Sequence, residues 1–155
     1  MITEIAMSLV LIIFISLCLR GRVREDVSLS ELSPVILNEI SDVDHMKKEG
    51  AMKLRSLYGL SENDYQEVLL YTPVSNMDAQ EMLLIRCRDQ EQTSQVEQAM
   101  KDRHAYMISI FESYGVEQMG IINKAVIDIQ GNYCLYVCDE NSAVVKDAYE
   151  AALKD

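Results

Sequence analysis

The chain has 155 residues, 49% hydrophobic and 25% charged, with a formal net charge of -11; that is enough for one domain with a real core, of ordinary globular composition. Arg20, Arg22 and Arg24 all precede residue 25 with only Glu4 against them, so the remainder is more acidic still. A field of that sign repels phosphate backbones and anionic membrane surfaces, which argues against nucleic-acid binding.

The first element is apolar. Ile5 to Leu19 reads IAMSLVLIIFISLCL, without a charge. As a helix at ~1.5 Å per residue it spans ~22 Å, short of a ~30 Å hydrocarbon core unless Met1 to Thr3 are included. All its faces are apolar, and it ends in Leu-Arg-Gly-Arg-Val-Arg, a basic membrane-edge flank. A single-pass anchor is therefore expected in preference to a buried core helix. A secretory or lipoprotein signal begins with a basic n-region, whereas no Lys or Arg precedes this run. Leu17 also stands where a lipoprotein cleavage site needs a small residue before Cys18, so an uncleaved anchor is expected rather than a lipid on Cys18. The expected organisation is a hydrophobic anchor or signal-like segment over 1–22, a tether with a short helix over 23–50, and an α+β domain over 51–155.

A short helix is predicted over Leu29 to Ile40, with Ser28 or Ser30 as cap and Pro34 in its first turn. Ser41 to Gly50 is charged and is expected to be a loop. Lys53 to Tyr58 reads as a brief helix stopped by Gly59. Glu67 to Thr72 and Glu81 to Cys87 are predicted strands, the first closed by Pro73. Thr93 to Tyr114 is the most periodic stretch: Val96, Met100, Met107, Ile110, Phe111 and Tyr114 share one helical face. Val116 to Asn123 is predicted as another short helix. Ala125 to Gln130 and Tyr133 to Asp139 are predicted strands joined at Gly131-Asn132, a two-residue hairpin turn. Asn141 or Ser142 caps a last helix running to Leu153. The pattern predicts a four-stranded, mostly antiparallel sheet in the order hairpin-helix-hairpin-helix, with helices packed on one face, behind an N-terminal hydrophobic anchor helix.

Sites of chemistry are sparse. No Gly-rich phosphate loop, GxSxG elbow or HExxH helix occurs, and no Cys/His set has metal-ligand spacing, so no catalytic residue, metal or cofactor is expected. Cys134 and Cys138 share a strand face ~13 Å apart, too far for a disulfide, while Cys87 on another strand can pair with either; the plain reading is buried apolar thiols. His45 beside Asp44, and His104 beside Asp102 and Arg103, read as solvated or packed histidines. The carboxylates Glu62, Asp64 and Glu67 cluster around Tyr65, and Asp139 and Glu140 precede the last helix, where capping is the ordinary role.

Leu57-Tyr58-Gly59-Leu60, Asp64-Tyr65, Met77-x-Ala79-x-Glu81-Met82-Leu83, Phe111-x-x-Tyr114-x-x-Glu117-Gln118 and Gly131-Asn132-Tyr133 follow one another in order over roughly two thirds of the chain. From about Met52 onwards this series resembles a family of small Gram-positive bacterial membrane proteins known as domain of unknown function 4358. The resemblance implies a lipoprotein-like or anchored domain facing outward from the cell, whereas the Arg20, Arg22 and Arg24 flank puts it in the cytoplasm by the positive-inside rule. A binding pocket, if one forms, is expected near Met77, Glu81, Tyr114 and Gln118. The functional expectation is a membrane-tethered, non-enzymatic binding or accessory module of the cell envelope, held in the membrane through residues 5–19 and meeting an envelope protein partner. The alternatives are a solute-binding domain or a small enzyme using carboxylate or Cys/His chemistry.

Overall fold

The computed structural model describes residues 23–113 and 115–154. The anchor expected over residues 5–19 lies outside them. Among the described residues no helix is long and apolar enough to cross a membrane.

The secondary structure runs α1 (Leu29–Leu37), β1 (Met46–Glu49), α2 (Ala51–Tyr58), β2 (Glu67–Pro73), β3 (Glu81–Arg86), α3 (Thr93–Phe111), α4 (Val116–Ile122), β4 (Val126–Gln130), β5 (Tyr133–Cys138) and α5 (Ser142–Ala152). The strands form one five-stranded sheet in the order β1-β2-β3-β5-β4, every neighbouring pair antiparallel. The fold class is α+β, with five strands where four were expected.

The added strand is β1, from the charged stretch read as loop. Met46-Lys47-Lys48-Glu49 carries no apolar alternation, yet Lys47 pairs with Thr72 and Glu49 with Leu70. It lies at the edge of the sheet, where lysines are tolerated and discourage pairing with another chain.

The second correction concerns the layers: helices cover both faces of the sheet, where one face was expected. On one side α2, α3 and α4 pack over Leu70, Leu83, Ile85, Cys134, Tyr136 and Cys138. On the other, α1 and α5 cover Leu69, Met82, Leu84, Tyr133, Leu135 and Val137. The physical reason is legible in β3 and β5. EMLLIR and YCLYVC are nearly continuous apolar runs, and strands without polar alternation need cover on both sides. All six residues of β5 are buried.

Local signals account for most boundaries. Ser28 caps α1 by accepting from the Glu31 amide. Gly59 ends α2 at φ +67°, a left-handed position that costs glycine little. The β4-β5 turn places its positive φ, +57°, on Gly131 alone, the first of the two turn positions, where a type II′ turn calls for glycine. Asp89 accepts from the Gln92 amide at 3.1 Å and starts a 3-10 turn over Gln90–Gln92 that leads into α3.

Residues 23–50 pack against the rest of the chain. Leu32 and Ile36 of α1 are fully buried beside Val145 and Tyr149 of α5. The Arg24 amide donates to the Leu153 carbonyl at 2.8 Å, so the two ends of the described chain meet.

Candidate functional site

The α2/α3 face of the sheet carries one polar row at its β1 end. Lys47 lies opposite Thr72, and Glu81 at the start of β3 lies opposite Cys138 of β5. Two helices bring side chains onto Glu81. Arg103 comes from the middle of α3, on the stripe of Val96, Met100, Met107 and Phe111 that faces the sheet. Tyr58 comes from the last turn of α2, one turn after the buried Leu54.

The three make a closed hydrogen-bonded cluster. Arg103 Nε donates to Glu81 Oε1 at 2.9 Å and Arg103 Nη2 donates to Oε2 at 2.6 Å. The Tyr58 hydroxyl donates to Glu81 Oε1 at 2.5 Å. Glu81 is only 1% exposed, so a carboxylate here survives on these donors alone. Burial disfavours the Arg103 charge, but the hydrogen bonds and charge of Glu81 outweigh it and raise the guanidinium pKa. Burial, followed by the Glu81 charge, pushes the Tyr58 phenol well above its usual value, which keeps it protonated and donating.

A cleft enclosing about 140 Å³ opens above this cluster. Glu81 and Arg103 form its floor, together with Met107, Ile110 and Phe111 of α3. Lys47 and Thr72 border it from the sheet edge, Lys53 from the first turn of α2, and Ser75, Asn76 and Asp78 from the β2-β3 loop. Lys47 sits 3.4 Å from Glu49. The Thr72 hydroxyl donates to Glu49 Oε1 at 2.8 Å, and this bond, opposed by burial and helped by Lys47 and Lys53, holds the Glu49 carboxyl below the usual range. The mouth thus sets two lysines, one of them paired with Glu49, beside the carboxylate of Asp78. Val74 and Met77 of the same loop and Tyr106 of α3 are exposed apolar side chains near this end of the sheet.

Of the four residues expected around a pocket, Glu81 lies in its floor. Met77 is 64% exposed on the loop, between the lining residues Asn76 and Asp78. Gln118 of α4 accepts from the Ala79 amide at 2.8 Å, bracing the loop two residues before Glu81. Tyr114 lies outside the described residues. Arg103 and Tyr58 were missed, although Arg103 fills the one gap, between Met100 and Met107, in the apolar stripe of α3. A cation at a core position signals a buried carboxylate partner.

The other titratable groups are held structurally. Asp139 is fully buried and accepts from the Ser41 amide at 3.1 Å, the Ser41 hydroxyl at 2.8 Å, Gln80 Nε2 at 2.9 Å and the Asn141 amide at 2.8 Å. Glu67 accepts from the Leu29 amide and from Arg86. His45 Nδ1 meets Asp42, at 2.7 Å, rather than its neighbour Asp44. The His104 ring stands edge-on to Tyr136, and burial lowers its pKa. Burial and then the Glu81 charge push the Cys138 thiol up to about 12, opposite to what a nucleophilic thiol needs. Among the described residues no group of three or more His, Cys, Asp or Glu side chains is placed to hold a metal ion.

A family model described as a domain of unknown function, DUF4358, matches residues 39–139, close to two thirds of the chain. The match runs from just after α1 to the end of β5 and so contains the Tyr58, Glu81 and Arg103 cluster. No curated protein and no solved structure matches.

Proposed function

We propose that this chain, which belongs to the DUF4358 family, is a non-enzymatic binding module that works tethered to a membrane through residues 5–19, as an accessory unit of the cell envelope. The observation that carries the reading is the cleft: a mouth carrying Lys47 and Lys53 beside Asp78, over a floor whose carboxylate is already engaged on both oxygens. A general base must have a free lone pair aimed at its substrate; Arg103 and Tyr58 already take three of the roughly four acceptor sites of Glu81. Such a floor shapes and polarises a pocket, and the lysines favour an anionic group on whatever enters. The exposed Val74, Met77 and Tyr106 add apolar area of the kind a protein partner covers.

The test is affinity capture of the full chain from detergent-solubilised membranes, beside a Lys47→Glu/Lys53→Glu variant. Both lysines are exposed, so the variant keeps the fold. A reproducible envelope protein, lost from the variant, is the expected result. Equal capture by both chains removes the cleft from the reading, and capture of nothing across several detergents removes the reading itself.

The size of the cleft favours solute binding as the second reading, since about 140 Å³ suits a small polar molecule. A ligand that binds the native state alone raises Tm by an amount that grows with the logarithm of its concentration over Kd. A metabolite panel that raises Tm for the native chain and not for the double lysine variant would select this reading over the first. The outward orientation is part of the proposal and follows from family resemblance against the arginine flank. Protease added to intact cells should digest the domain, and protection until lysis would assign it to the cytoplasm.

A further inference from the structure

Cys87 follows β3 directly, and Cys134 lies in β5, the neighbouring strand. Their Sγ atoms are 3.9 Å apart, both side chains are fully buried, and both thiols are free. The backbone holds them in this relation: the Cys87 amide donates to the Asn132 carbonyl at 2.8 Å, and Asn132 Nδ2 returns a bond to the Cys87 carbonyl at 3.1 Å. Cys138, by contrast, stands opposite Glu81 at the other end of β3. The sequence left Cys87 free to pair with either strand partner; the geometry selects one.

We propose that Cys87 and Cys134 are a built-in disulfide site, closed by a protein disulfide carrier of the thioredoxin-like chemical class when the chain matures in an oxidising compartment. The Cys87 thiolate attacks one carrier sulfur, forming a mixed disulfide and releasing the first carrier thiolate. Cys134 sulfur then attacks Cys87 Sγ, forming the internal bond and displacing the second carrier thiolate. Two electrons pass to the carrier, and the two protons lost by the cysteines end on its thiols, so one disulfide is consumed for each one made. Cys134 faces Ile85, so Cys87 is its diagonal neighbour, and shortening the Sγ distance to about 2 Å takes side-chain rotation with a small backbone adjustment. Because the pair is buried, exchange takes place while the β3-β5 pairing is still forming or transiently open. The bond closes a loop holding α3, α4 and β4, long enough to restrict the unfolded chain substantially.

The experiment uses the full chain with Cys18→Ser, unfolded in urea and refolded with either oxidised glutathione, as the carrier's surrogate, or excess reductant. The expected product is lighter by about 2 Da, yields a single Cys87–Cys134 linked peptide, and melts roughly 10 °C higher than the reduced form. Cys138→Ser should leave mass loss and linkage unchanged, and Cys134→Ser should abolish both. Comparing oxidised with reduced protein of one sequence keeps the result independent of whether any variant folds. A chain that refolds fully reduced in oxidised glutathione, links Cys138 instead, or melts lower when oxidised would overturn the proposal.

Discussion

Replacing Arg103 by Met tests whether Glu81 is an ion held in the core or a carboxylate that the fold merely tolerates. Arg103 is 9% exposed and supplies two of the three hydrogen bonds on Glu81. Removing it leaves a buried carboxylate with the Tyr58 hydroxyl as its remaining donor, and breaking a buried pair in this way costs about 3–5 kcal/mol. Glu81→Met, which strands the guanidinium, should cost a similar amount. The double variant Glu81→Met/Arg103→Met replaces the pair by apolar volume and is burdened mainly by the Tyr58 hydroxyl, about 1–3 kcal/mol. Urea denaturation of the four proteins should therefore give a coupling energy of roughly 4 kcal/mol or more, far above the ~0.5 kcal/mol within which independent sites add. Additive single losses would refute the reasoning.

Tyr58→Phe should cost about 1.5–2 kcal/mol in urea midpoint analysis, since it removes a hydrogen bond to a charged acceptor while Arg103 remains in place; a neutral substitution would show that the 2.5 Å contact contributes nothing. Asp139→Ala should destabilise by about 1.5–3 kcal/mol, because it removes the charged acceptor that ties Ser41, Gln80 and Asn141 together, and amide exchange should rise at Ser41 and Asn141. His45 should titrate by NMR above its ordinary 6.5, held up by the Asp42 hydrogen bond and charge, and Asp42→Asn should bring it back down. The sign follows: whatever this pair adds to stability is complete below pH 6.5 and fades as pH rises through the elevated value. The difference between ultraviolet titrations of the native chain and Tyr65→Phe should place Tyr65, pushed up by burial, at about 12, and a phenol ionising near 10 would contradict its place in the core.

What the sequence made legible were the elements with strong local physics. The Gly131-Asn132 turn, the periodicity of α3 and the Gly59 stop of α2 each decide a conformation within a few residues. Strand β1 escaped because Met-Lys-Lys-Glu owes its conformation to Thr72 and Leu70 across the sheet, and an edge strand with one open side carries no apolar rhythm. The two-sided cover of the sheet was visible in EMLLIR and YCLYVC but was read as one face, since a short apolar run does not say how many layers it meets. Glu81 was singled out through family resemblance, without a physical role. Its partners were written in the chain as well: Arg103 interrupts the stripe from Val96 to Phe111, and Tyr58 repeats Leu54 at helical spacing. Periodicity shows that both face inward; only the tertiary arrangement shows that they meet on one carboxylate.

The strand order has a consequence for how the polypeptide is made. Strand β5 sits between β3 and β4, yet it is the last strand to leave the ribosome. Until it arrives, β3 lacks its inner neighbour and the outermost β4 has nothing to pair with, so no half of the sheet is a stable stopping point. The nascent chain must hold its most apolar strands open until Cys138 has emerged, and pairing so distant in sequence is intrinsically slow. Completion of the sheet therefore waits on β5, and holdase chaperones have a defined interval in which to act.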